Sequence, residues 1–513
     1  MAARQASALT VFAALAAAMH AGAAQPGGAP SIATGDCAAL AGNQGAGVVV
    51  TAATAITPQG SWSPPASLGA PAPVSVPFCR VEGTISGRIG FELWLPPAAA
   101  WNGRLLGAGV GGDAGVFNFR DLARGVAAGY ASSTTDGGHK ASETRWMMRR
   151  DAVLDYTHRA QHLTNRAVRR LIARHYGSGP HHAYFLGCSG GGRQGLKEAQ
   201  RFAADYDGIV AGAGGPRMPE MSVRHLWHAL YQQDHPEGAL DGAAWTRVSQ
   251  AAARACDADD GAVDGVVDYP PSCRFDVGAL QCGADNAPGC LSAAQVRTVR
   301  TLQQPLRDEK GRALDSGLLP GVTVRPGPPS PLLLPFFAEG THRDPDWNPA
   351  TFSIGRDLAL ARRRMPEMAA DDPDLGRFAA RGGKLILYQG WLDPSIIASQ
   401  SLDYAAAVRA KLGARTDDML RLYMVPGMPH CGGGEGVNQF GGSGSALPLG
   451  AADRDLLSAA VDWVEHARPP QAIAAVRLEN GRVARERLLC PYPLVARPAN
   501  ADAASQRCVA RPE

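Results

Sequence analysis

Apolar residues recur along this chain with two different periods. Over 78–95, Val81, Ile85, Ile89, Phe91, Leu93 and Leu95 alternate with polar positions, which predicts antiparallel edge strands. Over 151–176, Leu154, Tyr156, His162, Ala167, Leu171 and Ile172 follow the helical period, and Tyr176-Gly177 stops it. Short runs at 101–110, 182–188, 207–213, 382–390 and 420–425 predict further strands, several of them buried, and Gly129-Tyr130-Ala131-Ser132-Ser133-Thr134-Thr135 reads as another strand. The stretch 196–202 has helix-forming composition, and 456–466 reads as an amphipathic helix. Strand and helix thus take turns, the rhythm of an α/β fold.

That rhythm lapses over 216–380. This region holds four cysteines, prolines at 326, 328, 329, 331 and 335, and only scattered short helical patterns, so it is expected to be an inserted lid. The core is then split into a first part, 25–215, and a second part, 381–513. Residues 25–75, rich in Ala, Gly and Pro, are expected to loop over the surface, tied down by Cys37.

The first 24 residues stand apart. Met1-Ala2-Ala3-Arg4, an apolar run over 8–18 too short to span a bilayer, and the small residues Ala21-Gly22-Ala23-Ala24 make a secretory signal peptide, cut near Ala23 or Ala24. No later stretch has some 18 consecutive apolar residues, so no membrane association is expected, and the mature protein should be secreted or periplasmic. Ten cysteines suit that compartment. Spacing suggests Cys37 with Cys79, Cys256 with Cys273, Cys282 with Cys290 and Cys490 with Cys508. The 513 residues are 45% hydrophobic and 19% charged with a net charge of +3, and no basic run occurs, so nucleic acid is not an expected partner.

The chemistry starts at Gly187-Cys188-Ser189-Gly190-Gly191, a G-x-S-x-G elbow between a strand and a helix. A serine hydroxyl needs a base to take its proton and an acid to orient that base, in the chain order Ser, Asp or Glu, His. Asp393 follows the strand at 385–388, and His430 follows the strand at 422–425. His466, the other downstream histidine, falls in the amphipathic helix; Asp403 and Asp417 fall in a helical stretch and a polar loop. The two cysteines left over adjoin the candidates: Cys188 precedes Ser189, and Cys431 follows His430. Contact between Ser189 and His430 therefore brings the two sulfurs close, as a bridge or as two buried thiols. The glycine loop Gly107-Ala108-Gly109-Val110-Gly111-Gly112 lies one strand-helix unit upstream, where such folds place one oxyanion donor.

A second constellation, Cys256-Asp257-Ala258-Asp259-Asp260-Gly261-Ala262-Val263-Asp264-Gly265-Val266-Val267-Asp268, lies in the lid. Its carboxylates suit calcium rather than zinc, although the spacing is not that of an EF-hand and a solvated acidic loop has the same composition. Trp391 and Ile396, beside Asp393, are candidate pocket walls. The lid aromatics Trp227, Phe336, Phe337 and Trp347 are candidates for stacking on a substrate ring, or for a lid core.

With Cys188-Ser189, Asp393 and His430-Cys431 in this arrangement, the chain resembles the tannase and feruloyl esterase family, which also includes mono(2-hydroxyethyl) terephthalate hydrolase. The likeness runs over about 37–508 and is densest over 187–195, 206–212, 381–393 and 425–431. It implies an α/β-hydrolase fold with a large inserted lid domain and a Cys188–Cys431 disulfide. It further implies a carboxylic ester hydrolase in which Ser189 attacks, His430 carries the proton and Asp393 orients the imidazole. The backbone N–H groups of Gly190 and Gly112 would hold the oxyanion. A structural calcium ion (Ca2+) would take Asp257, Asp260 and Asp264 through side chains, and Ala262 and Val266 through carbonyls. Small aromatic esters, feruloyl, chlorogenic or galloyl, are the implied substrates, cleaved through an acyl-enzyme. The alternatives are a mono(2-hydroxyethyl) terephthalate hydrolase, whose substrate carboxylate would need Arg356, Arg362, Arg363 or Arg364, and a non-catalytic binding protein on the same fold.

Overall fold

The structure, a computed structural model, describes residues 35–284, 288–324, 327, 333–499 and 506–511; the leader expected over 1–24 lies outside them. Ten strands form one sheet: β1 (Gly42–Gly45), β2 (Val48–Ile56), β3 (Phe78–Ile85), β4 (Ile89–Leu95), β5 (Arg104–Ala108), β6 (Ala131–Thr135), β7 (His182–Cys188), β8 (Gly208–Gly212), β9 (Lys384–Gly390) and β10 (Leu420–Val425). Their order is β1-β2-β3-β4-β6-β5-β7-β8-β9-β10. Pairing is antiparallel from β1 through β4 to β6, and parallel from β6 to β10. With helices against this sheet and a long helical insertion between β8 and β9, the chain has an α/β-hydrolase fold.

The parallel strands are short and mostly apolar because helices cover both faces; β6 is buried as well but carries Ser132, Ser133, Thr134 and Thr135. All seven residues of β4, and all but the first of β7 and β9, are buried. The helices Ala160–Tyr176 and Ala398–Leu412 cover one face and Leu456–His466 covers the other.

Two expectations need correcting. Residues 25–75 are not all surface loop, because β1 and β2 lie within them. In Val48-Val49-Val50-Thr51-Ala52-Ala53-Thr54-Ala55-Ile56 the β-branched residues outweigh the surrounding Ala and Gly, and Val48 and Val50 are buried. For the same reason β3 and β4 are interior strands, with β1 at the edge of the sheet.

Between β8 and β9 none of the described residues adds a strand to the large sheet. It forms the helices Met218–Asp234, Gly242–Cys256, Ala293–Gln303 and Ile354–Arg364 instead. Phe336, Phe337 and Trp347 pack there with Trp227 and Leu226, and Phe337 stacks on Trp347. These aromatics make a core within the insertion.

All ten cysteines are paired: Cys37–Cys79, Cys188–Cys431, Cys256–Cys273, Cys282–Cys290 and Cys490–Cys508. Among the described residues no helix is long and apolar enough to cross a membrane.

One buried acid beneath the site makes stability depend on pH. Glu198, in the helix Gly190–Arg201, is 1% exposed and neither carboxylate oxygen meets a donor. Burial, reinforced by the neighbouring Asp205, holds its pKa well above the ordinary carboxylate value. Asp205 is itself met by His162 at 2.6 Å. Below about pH 4 Glu198 is protonated folded or unfolded. As pH rises further, only the unfolded chain releases the proton, so stability falls toward the folded-state pKa. Glu198→Gln removes this loss: its melting temperature is expected to exceed that of wild type by a margin that widens from pH 5 to pH 8. A margin that stays constant or shrinks would show that Glu198 is not held protonated.

Candidate active site

Ser189 stands between the end of β7 and the helix Gly190–Arg201, with φ 60° and ψ −124°. A non-glycine residue at positive φ is strained, and the surrounding glycines make the turn possible. A Cβ at Gly192 would lie 2.1 Å from the carbonyl oxygen of Gly212, and one at Gly191 would lie 2.8 Å from the backbone of Gly109. The helix therefore enters directly against the ends of two neighbouring strands.

Asp393 and His430 follow β9 and β10. His430 Nδ1 donates to Asp393 Oδ2 at 2.7 Å, which leaves Nε2 free to exchange a proton with a hydroxyl. The Asp393 side chain is fully buried and also accepts from Gln389 Nε2 at 3.0 Å, from Ser395 N at 2.8 Å and from Ile396 N at 2.9 Å. Ser401 Oγ donates to Gln389 Oε1 at 2.9 Å, so the amide is fixed with its NH2 toward the carboxylate. Four donors keep a buried charge satisfied and aimed at the imidazole.

The Cys188–Cys431 bridge ties the end of β7 to the loop after β10, with 6.0 Å between the Cα atoms across a sequence separation of 243. Ser189 and His430 flank that bridge on either chain. Among the described residues no hydrogen bond joins Ser189 Oγ to His430 Nε2. The rival residues lie elsewhere: Asp403 pairs with Arg217, Asp417 with Arg409 and His466 with Asp462, each at least half exposed.

The upstream glycine loop is pinned to the elbow. Gly109 N donates to the Leu186 carbonyl at 2.8 Å, Val110 N to Gln194 Oε1 at 3.0 Å, and Tyr156 Oη to the Gly112 carbonyl at 2.9 Å. The Gly112 N–H finds no acceptor among the described residues, and Gly190 opens a helix, where an N–H has no intrahelical partner. Gly112, Ser189 and Gly190 line one small pocket with Met218, Met221 and Ile396. A larger cleft of about 650 Å³ opens beside His430, lined by Arg224, His225, His228, Gln232 and Ser395. Burial lowers the pKa values of His225 and His228, the latter to about 3, so both are neutral near pH 7. His225 Nε2 donates to the Ser395 carbonyl at 2.7 Å, joining the helix Met218–Asp234 to the Asp393 loop.

This places Ile396 at the Ser189 pocket and Trp391 away from it. Trp391 is 3% exposed, packs edge-on against Tyr269 at 5.4 Å and lines a separate cavity behind Asp393. It follows the strand directly, and its ring packs into the core on the face covered by the helix Ala398–Leu412. Arg356 pairs with Asp357, Arg362 with Glu220 and Asp371, and Arg364 donates to the Thr341 and His342 carbonyls. Among the described residues, none of these three lines the pocket or the cleft. Gln389, His225, Met218 and Met221 escaped sequence reasoning; only Gln389, four positions before Asp393, carried a local signal.

In the lid loop, Asp257 accepts from the N–H groups of Asp264, Gly265 and Val266, and Asp260 from those of Ala262 and Asp268. No described donor reaches the carbonyl oxygen of Ala262 or of Val266, although Val266 is 1% exposed. Free carbonyls beside three carboxylates fit a hard cation. Arg487, almost fully buried, donates to Asp264 and Asp268 and lies 3.6 Å from Asp260, so part of the loop's charge is met from within the chain.

Comparison with known proteins gives the family. The family described as Tannase and feruloyl esterase matches residues 74–320 and 338–509. The chain belongs to that family. Within the tannase and feruloyl esterase family, feruloyl esterase C of Talaromyces stipitatus is 32% identical over 436 residues, 81% of this chain and 82% of its own length. An uncharacterised esterase of Xanthomonas campestris is 34% identical over 470 residues, 81% of each chain. The crystal structure of feruloyl esterase B from Aspergillus oryzae superposes with a TM-score of 0.84 at 27% identity, covering 90% of this chain and 97% of that one. This member of the tannase and feruloyl esterase family is a carboxylic ester hydrolase.

Proposed function

We propose that this chain is a secreted or periplasmic serine esterase that hydrolyses small aromatic esters, with hydroxycinnamoyl esters such as feruloyl foremost and galloyl esters next. The observation that carries the reading is the buried, four-donor Asp393 bonded to His430, on a loop bridged to the residue before Ser189. The feruloyl esterases among its relatives support the acyl group, and the five disulfides support an oxidising compartment.

In this mechanism Ser189 Oγ attacks the ester carbonyl carbon and its proton passes to His430 Nε2. The imidazolium so formed is stabilised by Asp393, and the N–H groups of Gly190 and Gly112 hold the oxyanion. Collapse breaks the carbonyl–alkoxy bond, and the alcohol leaves with the proton from His430. Water, deprotonated by His430, then attacks the acyl-Ser189 and releases the acid. Met218, Met221 and Ile396 give the pocket apolar walls for an aromatic acyl group. The alcohol departs toward His430, where the larger cleft opens.

The test is turnover of methyl ferulate, methyl gallate and mono(2-hydroxyethyl) terephthalate in parallel. Methyl ferulate is expected to give the highest kcat/KM. A preference for the terephthalate ester would replace the substrate assignment, and no turnover of any of the three would refute it.

We also assign calcium to the lid loop, held by Asp257, Asp260 and Asp264 and by the carbonyls of Ala262 and Val266. The ion would order the loop and take no part in the chemistry. Chelation is expected to lower the melting temperature, with calcium restoring it. A melting temperature indifferent to chelator, with no metal on elemental analysis, would remove the ion.

A further inference from the structure

Among the described residues, the buried arginines have carboxylate partners, with one exception beside the nucleophile. Arg80 is met by Glu92, Arg224 by Asp315 and Arg487 by Asp268. Arg193, one turn into the helix that follows Ser189, is 3% exposed and forms no ion pair. Its side chain donates no hydrogen bond among the described residues, and its Nη1 is sealed from solvent without a partner. The guanidinium lies 4.7 Å above the ring of Tyr156, whose hydroxyl donates to the Gly112 carbonyl. A ring face offsets charge from above, but gives Nη1 no acceptor in the guanidinium plane.

A cation taken out of water without an acceptor is costly, so its retention points to an acceptor that enters from outside. Arg193 lines the same pocket as Gly112, Ser189 and Gly190, at the positive end of a twelve-residue helix. An anion in that pocket meets the helix N-terminus and the planar guanidinium together. The matching ligand is a carboxylate, whose two oxygens suit the fork of N–H groups. We propose that Arg193 makes the Ser189 pocket a carboxylate subsite, which binds the acid released by hydrolysis more tightly than the neutral ester. The identity of that acid rests on the esterase reading; the anion preference does not. Slow release of the acid, and inhibition by it, follow directly.

The experiment is calorimetric titration of Ser189→Ala protein with ferulate and with methyl ferulate, so turnover plays no part. Ferulate is expected to bind more tightly than its methyl ester. Adding Arg193→Gln should weaken ferulate by about tenfold or more, the size of one hydrogen bond to a charged group, and leave methyl ferulate within about twofold. Arg193→Lys should restore part of the loss. Equal affinities for the acid and its ester in the Ser189→Ala protein overturn the proposal without any second substitution. So does a folded Arg193→Gln protein that binds ferulate unchanged. Should Arg193→Gln fail to fold, the acid-against-ester comparison and the Lys variant decide the matter. Loss of ester hydrolysis in wild type would refute the proposed function and leave this binding result standing.

Discussion

Ser189→Ala is expected to abolish the burst and turnover of p-nitrophenyl esters, with kcat lower by about 10⁵-fold or more, while the melting temperature barely changes. The size follows from the division of labour. His430 without a nucleophile has no proton to take, and what survives is the oxyanion hole and binding, worth about 10³ to 10⁴ over water. The fold should not suffer, because Ser189 Oγ makes no hydrogen bond among the described residues and alanine keeps the Cβ. Nor should it improve, since the strained backbone at φ 60° remains. Equal burst amplitudes in wild type and variant would make the protein a binder on a hydrolase fold.

Replacing Cys188 and Cys431 together by serine is expected to cost both stability and rate. The bridge closes a loop across a sequence separation of 243, which the chain-entropy model values at about 5.5 kcal/mol. In a chain this long about 1 kcal/mol moves the melting temperature by about 1 °C, so a fall of about 5 °C is expected in calorimetry. The rate effect has a separate cause. His430 sits on a loop without regular secondary structure, and Cys431 itself has positive φ, so the bridge is what registers the imidazole against Ser189. A fall in kcat of about tenfold to a hundredfold, with KM little changed, is the expected pattern for a misplacement on the order of 1 Å. Unchanged kcat in the double variant would show that β7 and β10 hold the two loops in register by themselves.

The two substitutions probe different parts of what could be read from residues alone. The elbow was legible because its constraint is local: glycines around Ser189 are needed wherever a strand turns into a helix that sharply. Strands β7 to β10 were legible for a related reason, as runs buried on both faces are largely apolar, whereas β6 carries the buried hydroxyls of Ser132, Ser133, Thr134 and Thr135. Strands β1 and β2 were hidden by their Ala, Gly and Pro surroundings, although Val48 and Val50 face the core. Trp391 was misplaced because adjacency to Asp393 says nothing about which side of the sheet the ring takes.

The order of residues in the chain was enough to nominate Ser189, Asp393 and His430, since each candidate had to follow a strand and the elbow tolerates little else, and the resemblance those residues carry named the family. Short spacings suggested four cysteine pairs, while Cys188 and Cys431 stayed open between a bridge and two thiols until the resemblance implied the bridge and the structure showed it. Only the tertiary structure brought Gln389 onto Asp393, set Met218 and Met221 across from Ser189 and left Arg193 without a carboxylate. Those facts depend on which side chains from distant segments share a few cubic ångströms of space. No local pattern encodes that, because packing is decided by all the neighbours at once.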